Sequence, residues 1–331
     1  MTDNIIVKNI LFRVDTGTFI GLGHLSRCRS LMLGFIENTH CKFTILTNNI
    51  EQVEVFLKNI KVDIYELNTA FSDKLFDIAI VDILKIPMQE QFDIVKMSKI
   101  IVSIDDDGNG LFYQDILICP NLQKKTIPTT IQNFLHGNDY IILHPDFQKY
   151  CQINKNNSQK VKRVFICFGG SDPARLTKRI TSILNKTDFC FNIHIVIGSA
   201  ITWFDEILVQ IDNDKRFLIN KNLSNIAESM WQADIAIISG GTLLYESCSL
   251  GIPSVVICQN NDQNAEAILF KESIINLGVH DTISDTEIMH AIKKLSVNPS
   301  LRRKMSVSAK KLIPADGTSR IVQKILNFKR K

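Results

Sequence analysis

The residues best placed to do chemistry lie in one run, Leu11-Phe12-Arg13-Val14-Asp15-Thr16-Gly17-Thr18-Phe19-Ile20-Gly21-Leu22-Gly23-His24-Leu25-Ser26-Arg27-Cys28. Residues 10–14 read as a short buried strand, and a glycine-bearing loop follows. From Gly23 onward Leu25, Cys28, Leu31 and Met32 fall on one helical face. A strand, a glycine loop and a helix N-terminus together present backbone N–H groups to an anion. This loop also delivers an imidazole, whose unperturbed pKa of about 6.5 suits proton transfer near neutral pH. Read as structure alone, the same residues make a tight turn with a capping histidine. The turn is not a dinucleotide fingerprint, because Ser26 stands where the third glycine is needed, and no Gly-Lys-Ser/Thr follows to make a phosphate loop. Arg13, Asp15 and Arg27 lie close by in sequence. Asp15 can orient His24, bind a sugar hydroxyl, or serve as a plain loop or cap carboxylate.

A second segment is Ser239-Gly240-Gly241-Thr242-Leu243-Leu244-Tyr245-Glu246-Ser247-Cys248-Ser249-Leu250-Gly251-Ile252-Pro253. A buried strand ends in Gly240-Gly241, a short helix starts near Thr242, and Gly251 with Pro253 stops it. Paired glycines let a ligand approach the backbone, and the N–H groups of Gly241 to Leu243 can hold a diphosphate. Glu246 lies one turn beyond Thr242 on the same face, where its carboxylate can meet ribose hydroxyls. An ordinary strand–helix corner with a solvated glutamate is the structural alternative. Gly169-Gly170-Ser171-Asp172-Pro173 is a third strand-end loop. There Ser171 or Asp172 caps the next helix, Pro173 sits in its first turn, and the glycines keep a phosphate role open. Gln259, Asn260, Asn261, Asp262, Gln263 and Asn264 follow the strand at 254–258, where amides can read a sugar or base. Asp82 ends the strand at 77–82, and Ser103, Asp105, Asp106 and Asp107 end the one at 100–104. Without a histidine or glutamate close in sequence these carboxylates do not make a metal site, so no metal and no cofactor is expected. Asp105 and Asp106 can instead bind substrate hydroxyls or support His24.

The elements that must position these residues alternate short apolar strands with helices, the α/β pattern. Strands are expected near 9–14, 42–47, 62–66, 77–82, 100–104 and 116–119, and again near 162–168, 192–197, 217–219, 234–238 and 254–258. At 331 residues the chain is long for one core. The polar stretch at 149–160 marks the seam between residues 1–150 and 151–331, with the last helix able to pack back on the first domain. The expected fold is therefore α/β, two Rossmann-like doubly wound domains facing a cleft, with ligands at the carboxyl ends of the strands. A net charge of +4, from 38 basic and 34 acidic residues, is too balanced to argue for nucleic acid. No apolar run is long enough for a membrane helix and the start lacks a signal peptide, so a cytoplasmic protein is expected. The eight cysteines are scattered without a CxxC pair, which suits buried reduced thiols. Nothing in the composition sets an oligomeric state, and a monomer is compatible with it.

Taken in order, these segments resemble one family, the pseudaminic-acid pathway sugar-nucleotide hydrolases with their spore-coat polysaccharide relatives. The N-terminal Phe12-Arg13-Val14-Asp15…Gly21-Leu22-Gly23-His24…Arg27 looks like that family's opening. Ile104-Asp105-Asp106, the run Asp115 to Asn121, and Leu135-His136-Gly137-Asn138-Asp139 through His144-Pro145-Asp146-Phe147 are similar to its middle, with His144 in place of the usual arginine. Phe168-Gly169-Gly170-Ser171-Asp172-Pro173 and Ser239-Gly240-Gly241-Thr242…Glu246…Gly251-Ile252-Pro253-Ser254 complete the match. The resemblance implies the GT-B architecture of the lipid II-forming N-acetylglucosaminyltransferase, with the sugar in the first half and UDP in the second. It implies that His24 activates water to hydrolyse UDP-2,4-diacetamido-2,4,6-trideoxy-β-L-altropyranose. Water attacking opposite the leaving group would invert the anomeric centre, and helix N-termini at Gly170 and Gly241 can stabilise the departing diphosphate without a metal. The resemblance also implies that Gly240, Gly241, Thr242 and Glu246 hold diphosphate and ribose and that Gln263 lies near the nucleotide-sugar. Insertions near 50–60, 121–134 and 149–160 are expected to alter specificity. A glycosyltransferase of the same fold, with His24 deprotonating an acceptor hydroxyl, and a non-catalytic sugar-nucleotide binder are the competing readings.

Overall fold

Runs such as Phe76-Asp77-Ile78-Ala79-Ile80-Val81 are apolar on both faces, so each such strand must be covered by helices on both sides of a parallel sheet. A computed structural model shows this arrangement twice. It describes residues 7–17, 22–67, 69, 71, 74–83, 85–106, 111, 113–123, 133–153, 155, 159–198, 200–212, 214–221, 223 and 225–330. The chain divides into two compact units, residues 1–145 with 316–331, and residues 146–315.

In chain order the first unit carries β1 (Lys8–Val14), α1 (Gly23–Asn38), β2 (Cys41–Thr47), α2 (Ile50–Leu57), β3 (Val62–Glu66), β4 (Phe76–Asp82), α3 (Met88–Lys96), β5 (Ser98–Ile104), β6 (Ile116–Cys119) and β7 (Phe134–His136). The sheet order is β3-β2-β1-β4-β5-β6-β7, and the strand pairs are parallel. Between β1 and β4 the order reverses, and Val14 pairs in register with Asp82. One face of the sheet packs Ile10, Phe12, Ile78 and Ile80 against Leu25, Cys28, Leu31 and Phe35 of α1. The other packs Leu11, Ala79, Val81 and Ile101 with Ile94 of α3.

The second unit follows α4 (Pro145–Cys151) with β8 (Arg163–Cys167), α5 (Leu176–Asn185), β9 (Asn192–Ile197), α6 (Phe204–Ile211), β10 (Phe217–Lys221), α7 (Ala227–Trp231), β11 (Ile235–Ile238), α8 (Thr242–Ser249), β12 (Ser254–Cys258), α9 (Asn261–Ala267), β13 (Ile274–Val279), α10 (Asp285–Val297) and α11 (Pro299–Leu312). Its sheet runs β10-β9-β8-β11-β12-β13, with β8 and β11 at the reversal. The final helix, α12 (Gly317–Leu326), belongs to the first unit. It packs on α1 where Gly34 permits close approach, since a Cβ there would stand 3.1 Å from the Thr318 side chain.

Two expectations change. The division falls at Pro145 rather than within 149–160, because Asp146 bonds Asn225 and Tyr150 packs its ring on Trp231, both in the second unit. Strands β7 and β13 are not apparent from the apolar pattern. Both are edge strands with few fully buried positions, so they lack a continuous apolar run. The segment near 50–60 is α2, while most of 121–134 lies outside the described residues.

Candidate active site

In the first unit the reversal of strand order puts α1 and the end of β4 together. His24 lies in the first turn of α1, whose cap Leu22 makes no side-chain hydrogen bond. Its Nδ1 is 2.6 Å from Oδ1 of Asp82, 58 residues away in sequence. Asp82 is fully buried, while the His24 side chain keeps 13% exposure. Arg27, one turn further along α1, donates to both Asp82 oxygens at 2.7 and 3.1 Å and to Oδ1 of Asp106 at 2.6 Å. Arg27 Nη2 also stands 2.8 Å from His24 Nδ1. Asp82 is held ionised and its oxygens can only accept, so the 2.6 Å contact places the ring proton on Nδ1, facing the carboxylate, which leaves Nε2 as the acceptor. Burial works against the charged Asp82 carboxylate, but Arg27 and His24 outweigh it and hold its pKa below the usual range. Burial also opposes the Arg27 charge, and the Asp82 and Asp106 carboxylates more than offset that. Such a group can hold a neutral imidazole with a basic Nε2 and stabilise it when it becomes charged.

The residues expected around His24 are thus only partly assembled. Arg27 and Asp106 join it. Asp15 does not: Arg13, only 2% exposed, donates to Asp15 at 2.5 and 3.2 Å and to Glu90 on α3. That pair sits with the α3 face of the sheet because Leu11 and Arg13 alternate with Phe12 and Val14. Asp105 donates its backbone N–H to Ile118 and borders a cavity beside Ser103. The carboxylate bonded to His24 is therefore Asp82, not Asp15, Asp105 or Asp106. By sequence Asp82 is one of several strand-end carboxylates suited to a turn, a helix cap or a metal. The usable signal was its position as the last residue of an apolar strand. Gly21 lies outside the described residues, and Gly23 opens α1 with free space where a Cβ would stand. Among the described residues no group of three or more His, Cys, Asp or Glu is arranged to hold a metal ion.

In the second unit the ends of β8, β11 and β12 meet. Gly169 adopts φ +91° and Gly170 is exposed beside the exposed Ser171. Helix α5 begins at Leu176, three residues later than the proline suggests. Asp172, in a left-handed conformation, folds back so that its carboxylate accepts from Leu176 and Thr177 at 2.9 and 2.8 Å. The first N–H groups of α5 are therefore satisfied by Asp172, one of the two caps expected, while Pro173 lies before the helix rather than in its first turn. Gln259 ties the loop down, donating to Phe168 and Asp172 and accepting from Ala174.

Helix α8 differs. Its cap, Gly241, offers no side-chain acceptor, so no side chain caps the first N–H groups of the helix, and Thr242 at its start is exposed. Gly240 is locked from behind: Gln263 Oε1 accepts from the N–H of Gly240 and of Gln259 at 3.2 and 3.0 Å. A Cβ on Gly240 would stand 2.8 Å from Cys258 Sγ. Gln263 is thus a support for the glycine turn. Asn260 caps α9 and Asn264 accepts from Asn276, so these amides hold the loops together rather than point at a base. Glu246, half-buried on α8, has no side-chain partner among the described residues, and burial pushes its carboxyl up to about 7. Burial pushes the neighbouring Cys167 thiol up to about 12.

Gly198 shows how tightly the first loop is held, since a Cβ there would collide with the Gly170 carbonyl and Cα. Gly198→Ala should displace the Gly169–Gly170 turn. The expected cost is about 1–3 kcal/mol of stability, read as a lower Tm. A wild-type Tm would show that the loop gives way freely.

No family model matches the chain. The spore coat polysaccharide biosynthesis protein SpsG of Bacillus subtilis is 24% identical over 325 residues, covering 93% of this chain and 94% of that protein. The UDP-2,4-diacetamido-2,4,6-trideoxy-β-L-altropyranose hydrolase of Campylobacter jejuni is 25% identical over 267 residues, covering 78% and 94%. Among solved structures, MurG of Acinetobacter baumannii matches with a TM-score of 0.65 at 14% identity, covering 97% of this chain and all of that one. By sequence this chain is a homologue of SpsG and of the Campylobacter UDP-sugar hydrolase over most of its length, and by fold it has the two-domain GT-B architecture.

Proposed function

We propose that this chain hydrolyses a UDP-sugar of the 2,4-diacetamido-2,4,6-trideoxy class, releasing UDP and free sugar, as a step toward a nonulosonic acid. The observation that carries the reading is the His24–Asp82 pair, a partly exposed imidazole oriented by a buried carboxylate at the switch point of its sheet. The activity named for the Campylobacter relative supports the choice of substrate. Nε2 of His24 takes a proton from water, and the water oxygen bonds to the anomeric carbon. The bond from that carbon to the diphosphate oxygen breaks, and UDP leaves with the electron pair. Attack opposite the leaving group inverts the anomeric centre. Asp82 keeps Nδ1–H in place and stabilises the imidazolium that forms. Arg27 keeps Asp82 ionised. The open first turn of α8, Thr242 and the Gly170–Ser171 loop bind the diphosphate, and Glu246 accepts from ribose hydroxyls.

Incubation with the UDP-sugar alone should release UDP and free sugar. Release only on addition of an acceptor would establish a transferase instead, and binding without turnover would leave a carrier of sugar nucleotides.

The Glu246 assignment has a pH signature. Its ionised form is the better acceptor, so UDP affinity should rise by about tenfold, roughly 1.4 kcal/mol, as pH passes upward through about 7. Glu246→Gln should weaken binding at high pH and remove this step, leaving only the titration of UDP itself. Identical pH profiles for the two proteins would refute it. The same raised pKa makes the ligand-free fold lose stability as pH rises from the ordinary carboxyl range, about 4.3, through about 7.

A further inference from the structure

At the carboxyl ends of β4 and β5, on the sheet face away from α1, lies a cavity of about 300 Å³. Val81 and Ser103 form its floor. They pair in register on adjacent strands, and both are at most 2% exposed. Ile83, Ile86 and Leu111 supply apolar walls, and Lys85 and Asp105 bring opposite charges to it. Val81 and Ile83 flank Asp82, which points to the other face toward His24. Because successive side chains on a strand point to opposite faces, the cavity and the imidazole stand on either side of one strand end.

The lining selects a ligand class. One cation and one anion leave no net charge for a phosphate or carboxylate. About 300 Å³ is at the lower limit of small-molecule pockets and suits a single sugar ring rather than a nucleotide. The Ser103 hydroxyl lines the cavity and has no hydrogen-bond partner among the described residues. That hydroxyl is therefore open to a ligand amide or hydroxyl that enters the cavity. The apolar walls suit methyl groups.

We propose that this cavity receives the acetamido- and methyl-bearing side of the sugar, with Ser103 bonding its amide and Ile83, Ile86 and Leu111 enclosing its methyl groups. The proposal rests on the hydrolase reading for the identity of the sugar, though the cavity can be tested without turnover. It explains how a site with one catalytic imidazole selects a deoxy, N-acetylated hexose over a hydroxylated one, whose extra hydroxyl would be buried against isoleucine without a partner.

The test titrates free 2-acetamido-2,6-dideoxygalactose and fucose into the full chain and follows binding by saturation-transfer NMR. The wild type should bind the amide sugar at least tenfold more tightly than fucose. Ser103→Ala should weaken it about fivefold. Ile86→Trp, which fills the cavity from a half-buried wall, should abolish binding while Tm and UDP affinity stay at wild-type values. If Ile86→Trp unfolds, the Ser103→Ala comparison decides alone. A folded Ile86→Trp or a Ser103→Ala protein that binds like the wild type, or a wild type that does not discriminate, overturns the proposal. UDP release by the wild type is scored separately. Sugar binding without release would sink the hydrolase reading and keep the cavity, whereas release with an unchanged KM in Ile86→Trp would do the reverse.

Discussion

His24→Ala should abolish release of UDP while leaving UDP binding intact. The imidazole lies in the first unit, and the open helix end, the glycine turns and Glu246 that bind nucleotide in the proposed reading all lie in the second. A positioned general base is worth about 10²–10⁴-fold in rate, and no other side chain beside Asp82 can replace it, since Arg27 remains protonated. The expected result is a kcat lower by at least about 10²-fold in a continuous UDP-release assay, with a Kd for UDP within twofold of wild type by calorimetry. Turnover within threefold of wild type would remove His24 from the mechanism. A matching loss of UDP binding would show that the substitution had disturbed more than the base.

Asp82→Asn should be nearly as damaging, for a different reason. The carboxylate accepts the Nδ1 proton of His24 and two bonds from Arg27 at once. An amide of the same size presents an NH₂ group that can donate to Nδ1, which favours the tautomer with its proton on Nε2. The base is then blocked without being removed. We expect kcat to fall by about 10²–10⁴-fold, with the His24 tautomer inverted in ¹⁵N NMR. Arg27 would also lose its buried counter-charge, so stability should drop by about 3 kcal/mol. The tautomer separates positioning from mere destabilisation: a protein of lower Tm with the wild-type tautomer and rate would leave Asp82 a structural role only. The acid limb gives a further check. Because the folded pKa of Asp82 is depressed, its contribution is fully present above about pH 3.9 and is lost as pH falls through the lower folded value. The asparagine variant should lack that part of the acid denaturation curve.

Much of the fold was legible because the signals are local. Apolar runs such as 77–82 and 234–238 announce parallel strands, and β4 and β11 form there. Gly240-Gly241 before Thr242 announces an open helix end, and α8 begins at that residue. Local rules misled where a side chain had a choice. Asp172 caps its helix as expected, yet by turning back onto Leu176 and Thr177 it starts the helix after Pro173 rather than at it. Gln263 holds the backbone of Gly240, a contact the sequence does not announce. Arg13 and Asp15 are two residues apart and bond each other, so neither reaches His24.

The chain by itself determined the two parallel sheets, the glycine turns at their strand ends and the histidine offered by the first of them. Each is set by hydrophobic periodicity and by backbone preferences acting over a few residues. Only the tertiary structure decided which carboxylate serves that histidine. Five acidic residues stood at suitable strand ends, Asp15, Asp82, Asp105, Asp106 and Asp107, and the choice among them depends on the order of strands in the sheet. Once β4 pairs with β1, Asp82 lies beside Val14 and beneath the first turn of α1, where burial and Arg27 together hold it charged.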